Sequence, residues 1–225
     1  MPLPAIWFTV VAAVLALSGC GPSTTASTTS TPSSAASGSP AAVSTDACPT
    51  QLTPTQTEGP YFKPGSPART SLIEGGITGT RLVLSGRVLT LACAPACAPV
   101  AGATLDFWQA DAAGTYDNSG YRLRGHQLTD AAGRYYLETI LPGEYPGRTE
   151  HIHVKVGAPG KAVLTTQLYF PGVARNQQDG IFDAHLLVTM QNTATGKAAT
   201  FDFVTTGERR DRGVWKLPLV SHKDE

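Results

Sequence analysis

No sign of charge dominates this chain. Its 17 Lys and Arg balance 17 Asp and Glu, for a formal net charge of zero. A basic stripe able to neutralise phosphates is missing, and no nucleic-acid motif is present, so nucleic acid is not an expected partner. No Gly-x-Gly-x-x-Gly fingerprint occurs, which removes the usual nicotinamide or flavin signature. Long apolar runs are scarce. The substantial one, Ala5 to Leu17, is short of the roughly 20 residues that span a bilayer. Beyond it no long amphipathic helix and no internal repeat is evident.

That apolar run ends in Leu17-Ser18-Gly19-Cys20, which has the form of a bacterial lipoprotein processing site. Residues 1–19 read as a signal that is removed, leaving Cys20 as the lipid-modified N-terminus. One feature departs from the pattern: no Lys or Arg precedes the run. An ordinary secretory signal with an incidental Cys20 is the alternative. Residues 20–46 are dominated by Ser, Thr, Ala and Pro, carry no charge before Asp46, and read as a flexible tether. The expected address is the cell envelope, facing outside the cytoplasm and anchored to the membrane by lipid. Residues 47–225 are one domain's length, ample for a single core.

The chain has four cysteines. With Cys20 set aside, Cys48, Cys93 and Cys97 remain in a disulfide-permissive compartment. An odd number allows at most one bridge among them, and Cys48–Cys93, Cys48–Cys97 and Cys93–Cys97 all stay open. Zinc is disfavoured, because Cys93-Ala94-Pro95-Ala96-Cys97 has no second ligand pair.

The folded part reads as short strands separated by Gly and Pro turns. The candidates are Arg81 to Leu91, Thr104 to Ala110, Arg134 to Ile140, His151 to Val156, Ala162 to Phe170, Leu186 to Gln191 and Ala199 to Val204. Turn signals sit at Asp130-Ala131-Ala132-Gly133, Pro142-Gly143 and Thr195-Gly196. The pattern predicts an all-β sandwich of mostly antiparallel strands.

Two histidines one residue apart stand out in Tyr145-Pro146-Gly147-Arg148-Thr149-Glu150-His151-Ile152-His153. On a strand, His151 and His153 project to one face, with Ile152 and Val154 on the other. His-x-His alone is a weak motif, equally at home on a polar strand face. The tyrosines change its meaning. Tyr145 lies just upstream, and Tyr116 lies in Gly114-Thr115-Tyr116-Asp117-Asn118. A phenol holds its proton up to a pKa near ~10. A hard trivalent iron displaces that proton and keeps the phenolate, so two Tyr and two His point to non-haem Fe(III).

Several segments resemble the intradiol ring-cleaving dioxygenases, in particular their short extracellular members, with a core similar to that of protocatechuate 3,4-dioxygenase. They are Thr57-Glu58-Gly59-Pro60-Tyr61-Phe62, the run Ala103 to Tyr116, Leu123-Arg124-Gly125, Gly133-Arg134-Tyr135-Tyr136, the run Thr139 to His153, and Gln167-Leu168-Tyr169-Phe170. The resemblance implies a sandwich with iron near one end. Catechol-type relatives add an N-terminal helical dimerisation region, and nothing before Thr57 resembles it. Tyr116, Tyr145, His151 and His153 are implied as iron ligands, with Tyr145 and His153 axial and Tyr116 and His151 equatorial. The implied reaction inserts both atoms of O2 between the hydroxylated carbons of a catechol, giving a cis,cis-muconate-type diacid. Tyr145 would accept a substrate proton. Arg148 would stabilise negative charge on the ring, and Gln167 would line the site. Gly59, Pro60 and Tyr61 would edge the substrate pocket.

The remaining candidates have plainer readings. Trp108 reads as core, and His126, His185 and His222 as surface or structural. Lys63, Arg122 and Arg124 are candidates to face a pocket, where a cation would mark a carboxylated substrate. A cupin-type site would need an acid soon after His153, and Val154-Lys155-Val156-Gly157-Ala158 has none. A lipid-anchored β-sandwich that binds without catalysis is the alternative function. Nothing in the sequence specifies an oligomeric state.

Overall fold

A computed structural model describes residues 51–93 and 96–206 of the chain. The signal, Cys20, the tether and His222 lie outside the described residues. Cys97 is disulfide-bonded; the side chains of Cys48 and Cys93, its two candidate partners, also lie outside them.

The strands are β1 (Arg81–Cys93), β2 (Ala96–Pro99), β3 (Thr104–Gln109), β4 (Arg124–Leu128), β5 (Arg134–Ile140), β6 (His151–Gly157), β7 (Leu164–Tyr169), β8 (Thr189–Thr193), β9 (Gly196–Thr200) and β10 (Phe203–Thr205). Two sheets result. One follows the order β10-β1-β9-β8, with β2 and β5 also paired to β1; the other runs β4-β3-β6-β7. Among the strands described, β1–β9 and β1–β10 are parallel and the other ladders antiparallel. The expected all-β sandwich is therefore the architecture. The helical turns among the described residues are short 3-10 segments, Ala174–Gln178 and Ala184–Leu186.

The core lies between the sheets. Leu82, Leu84, Val88, Leu137 and Phe203 meet Leu105, Phe107, Ile152, Val154, Val156 and Leu168, all essentially inaccessible. Alternation along β3 and β6 supplies one apolar set inward. The opposite set on β6 contains His151 and His153, so the two histidines face away from this core.

Two strand expectations need correction, and two strands were not expected. Leu186 falls in a 3-10 turn, where the Asp183 carboxylate accepts from the His185 amide, so β8 starts only at Thr189. The run expected at 199–204 is two strands. Phe201 N bonds Ser85 O, and the Asp202 carboxylate accepts from the Arg87 amide and guanidinium, so the parallel ladder with β1 breaks at 201–202 and resumes in the same register as β10. Finally, β2 and β4 carry no alternating apolar signal. Pairing holds them instead: β2 with β1, and β4 between β3 and the 67–72 segment. There Arg69 N donates to His126 O and His126 N to Pro67 O, covering what would be an open sheet edge.

Candidate metal centre

Sheet register assembles the site. Arg124 pairs with Trp108, Trp108 with His153, and His153 with Gln167, in one row across β4, β3, β6 and β7. A second row pairs His151 with Tyr169. Directly paired residues share a face, so these six side chains stand on the outer face of the four-stranded sheet, at its end. Loops then cover them: His151 is 2% exposed and His153 1%. An aromatic cluster of Trp108, Ala110 and Tyr116, flanked by Tyr61, Phe62 and Tyr145, forms this cover, separate from the main core.

Each donor is held locally. The His151 Nδ1–H donates to Thr149 O at 2.6 Å, which leaves its Nε2 lone pair bare. That Nε2 lies 3.0 Å from His153 Nε2 and 3.5 Å from the Tyr116 hydroxyl. The His153 ring stacks on Trp108, centroids 4.8 Å apart and 7° from parallel. Trp108 is thus buried, as expected, but serves as the wall behind a site histidine. His153 Nδ1 has no protein partner.

Tyr116 sits between two aspartate-centred turns. Asp111 Oδ1 accepts the Ala113 and Thr115 amides at 2.9 Å, and Asp117 accepts those of Ser119, Gly120 and Arg122. Those amide bonds hold the Asp117 carboxyl below its usual range. Tyr145 opens the Pro146-Gly147 turn, closed by Arg148 N donating to Tyr145 O at 2.9 Å. Gly114, at φ +79°, joins the two loops: a Cβ there would stand 2.1 Å from Glu144 O. Gly114→Ala is expected to cost about 1–3 kcal/mol in strain and displacement, read as a lower Tm together with weaker metal uptake.

Electrostatics keep all four donors neutral until something displaces their protons. Burial, reinforced by neighbouring Tyr145, pushes the Tyr116 phenol far above its ordinary value, and burial also raises Tyr145. Burial, with Arg148 adding to it, lowers His151 to about 4, and burial with His151 beside it holds His153 well below the usual imidazole value. Neutral imidazoles are ready ligands, whereas phenols of this kind need a strong Lewis acid. No group of three or more His, Cys, Asp or Glu among the described residues suggests a zinc or calcium site. The convergent pair of imidazoles with phenol oxygens, without a carboxylate, fits a hard trivalent metal.

Arg148 lies at the edge of the donor set. Its Nε donates to Asp179 at 2.9 Å, its Nη1 approaches the Tyr145 hydroxyl at 3.4 Å, and its Nη2 donates to Gln167 Oε1. Burial opposes the guanidinium charge, but the Asp179 carboxylate together with Tyr145 and Tyr169 outweighs it and raises the pKa. Gln167 is satisfied at both ends, since its Nε2 reaches Thr57 O at 2.9 Å. It ties Arg148 to the loop that carries Gly59, Pro60 and Tyr61.

That loop folds over the histidines. A Cβ at Gly59, φ +70°, would stand 3.3 Å from His153 Cε1. Tyr61 stacks on Tyr116 at 4.3 Å and 15°. Phe62 packs edge-on against Trp108 at 5.0 Å and carries the Lys155 ammonium 3.7 Å above its ring, and Lys155 also pairs with Glu58. Pro60 and Tyr61 line a depression of about 470 Å³ with Phe62, Lys63, Asn118 and Arg124.

Of the three candidate pocket cations, Lys63 and Arg124 line this depression. Lys63 Nζ donates to Ser119 O and Gly120 O. Arg124, 2% exposed, is spent on Tyr61 O at 2.6 Å and Asp117 O at 3.0 Å. Arg122 is exposed and contributes its amide to Asp117. His126 bonds Ser66 O, and His185 is an exposed partner of Asp183. Sequence reasoning missed Asp179 and Tyr169. Tyr169 carries a signal in retrospect, because it faces His151 in register; Asp179, in a loop about 30 residues from Arg148, carries none.

A β-sandwich with a tyrosine–histidine cluster on the outer face of one sheet is the class that fold and site define. Residues 57–207 match the family model described as Dioxygenase. The chain belongs to the intradiol ring-cleavage dioxygenase family, whose members use iron. It is 36% identical over 122 residues to the protocatechuate 3,4-dioxygenase beta chain of Burkholderia cepacia, covering 46% of this chain and 50% of that one. It is 28% identical over 152 residues to catechol 1,2-dioxygenase of Candida albicans, covering 55% and 49%. The chain thus spans about half the length of the curated relatives it matches. Among solved structures, the dioxygenase domain of a dioxygenase–carbohydrate-binding protein fusion from the cellulolytic bacterium Streptomyces sp. SirexAA-E is 54% identical. Its TM-score is 0.66, with 69% of this chain and 99% of that chain covered. The 3-chlorocatechol 1,2-dioxygenase of Rhodococcus opacus 1CP is 28% identical at a TM-score of 0.62, covering 68% and 72%.

Proposed function

We propose that this protein is a non-haem Fe(III) intradiol dioxygenase that cleaves a catechol-type aromatic diol with O2 to a cis,cis-muconate-type diacid. The observation carrying this reading is the convergence on His151 Nε2 of His153 Nε2 at 3.0 Å and the Tyr116 hydroxyl at 3.5 Å, with Tyr145 alongside. Tyr116, Tyr145, His151 and His153 would hold the iron. The metal, when bound, supplies Lewis acidity and a template for the two diol oxygens.

The chain's residues do the rest. His151 is locked in the tautomer that presents Nε2, and Trp108 fixes the His153 ring plane. Tyr145, the less buried of the two tyrosines and adjacent to Arg148, would take a proton from the diol as the phenolate that metal ligation would leave. Arg148 directs fixed positive charge at negative charge growing on the ring. Tyr61, Phe62 and Trp108 exclude water from this side. With Lys63 and Arg124 bonded to backbone carbonyls, the pocket favours diols without a carboxylate. Lipid attachment at Cys20 and a tether to residue 46 would place the domain on the outer side of a cell membrane.

The test is turnover of catechol under ¹⁸O₂ by the iron-loaded protein. Muconate carrying both labelled atoms supports the reading, whereas absence of cleavage across plain, substituted and carboxylated diols would sink it.

A further inference from the structure

One carboxylate outside the donor set reaches both halves of the site. Asp179 follows the 3-10 turn at 174–178, and its side chain is 1% exposed. A single oxygen, Oδ2, accepts from Arg148 Nε at 2.9 Å and from the Thr149 amide at 3.0 Å. Its other oxygen accepts the Ile181 amide at 3.1 Å. Thr149 in turn offers its carbonyl to His151 Nδ1 and its hydroxyl to Asn176 Oδ1 at 2.7 Å. The side chain of Asn176 is itself anchored to Phe170 O at 2.8 Å.

The three guanidinium nitrogens of Arg148 have different partners: Asp179, Gln167 and the Tyr145 hydroxyl. Of these, Asp179 is the charged one. A planar fork held at Nε by a fixed carboxylate has little freedom to swing. Without that carboxylate, Arg148 would keep its charge but lose the anchor that aims it across Tyr145. The Thr149 amide would lose its acceptor in the same event, loosening the carbonyl that sets the His151 tautomer.

We infer that Asp179 is a positioning residue: its Oδ2 holds the Arg148 guanidinium and the Thr149–His151 backbone in the arrangement the site requires. The kinetic part of this inference rests on the dioxygenase reading above. The structural part concerns the metal-free protein.

A double-mutant cycle on the full chain tests it, with Asp179→Asn, Arg148→Gln and the pair. The asparagine side chain keeps the shape of the aspartate and removes its charge. Asp179→Asn is expected to lower kcat about 10- to 100-fold, as is usual for partners behind an active-site group, with KM nearly unchanged. In the Arg148→Gln background the same change should alter kcat several-fold less than in the unaltered protein, because only the part acting through Thr149 and His151 remains. A role in folding alone would instead give equal, additive losses in both backgrounds, and that result overturns the inference. The second arm needs no activity. In ¹⁵N NMR of the metal-free protein, the Arg Nε–H resonance absent from Arg148→Gln should be slow to exchange and lose protection in Asp179→Asn. If its shift and protection are retained, Asp179 does not position Arg148. If the unaltered protein cleaves no diol, the dioxygenase reading falls and the NMR arm alone decides this one.

Discussion

Tyr116→Phe is expected to abolish iron binding and ring cleavage together, by at least about 10³-fold in kcat/KM, while the metal-free protein stays as stable as before. The two halves of this result have different causes. Without metal, the Tyr116 hydroxyl is a buried, protonated phenol that faces the Tyr145 side chain and meets His151 Nε2 at 3.5 Å, a long contact that contributes little. Phenylalanine keeps the stack on Tyr61 and loses no good hydrogen bond, so stability should change by less than about 1 kcal/mol. With metal, in the proposed reading, the same oxygen would become one of two anionic ligands, and its removal would leave the site with too little negative charge for a trivalent ion. Iron per protein, thermal unfolding of the metal-free form and catechol turnover, measured on one preparation, separate the two effects. A drop in stability equal to that of a core truncation would mean that Tyr116 is structural.

Arg124→Ala should do the reverse, destabilising the fold first and the site as a consequence. The guanidinium is buried under the aromatic cover and bonds two backbone carbonyls, Tyr61 O and Asp117 O, tying together the loops that carry them. It also lies 5.9 Å from the Tyr116 ring centroid. Each charge-assisted bond contributes about 1.5–3 kcal/mol, and truncation strands both carbonyls and opens a cavity. A loss of about 3–5 kcal/mol is expected, corresponding to roughly 6–20 °C in Tm for a domain of this size. Lysine retains charge but not the fork, so Arg124→Lys should fall between the two. The preceding residue adds to the argument. Leu123 is the one non-glycine residue at positive φ among those described, +54°, and is buried at 2%. Strain of that kind persists where packing on both sides enforces it. Thermal unfolding without metal reads the effect directly, and Arg124→Ala with an unchanged Tm would contradict it.

The sandwich was legible because its central strands alternate. β1, β3, β5 and β6 each send one apolar set inward, and the sequence marks them within a residue or two. β4 was not legible: Arg124-Gly125-His126-Gln127-Leu128 has no apolar period, and its pairing comes from β3 and the distant 67–72 segment. Within the site, the His151/His153 face followed from strand geometry alone. The tyrosines acquired meaning only as a set, through the chemistry of phenolate and imidazole. Trp108 was legible as buried but not as the His153 wall, since that stack depends on which residue of β3 opposes His153. Asp179 could not be foreseen, because nothing local distinguishes a loop aspartate that folds beneath an arginine from one that meets water.

The most direct measurement is the visible spectrum of the iron-loaded protein, with iron quantified, before and after anaerobic catechol. Ligation by Tyr116 and Tyr145 predicts a coloured protein with one iron per chain, whose charge-transfer absorption shifts when catechol is added and is lost in Tyr116→Phe. A protein that stays colourless after ferric loading, or whose colour ignores catechol, would contradict the tyrosine–histidine iron centre.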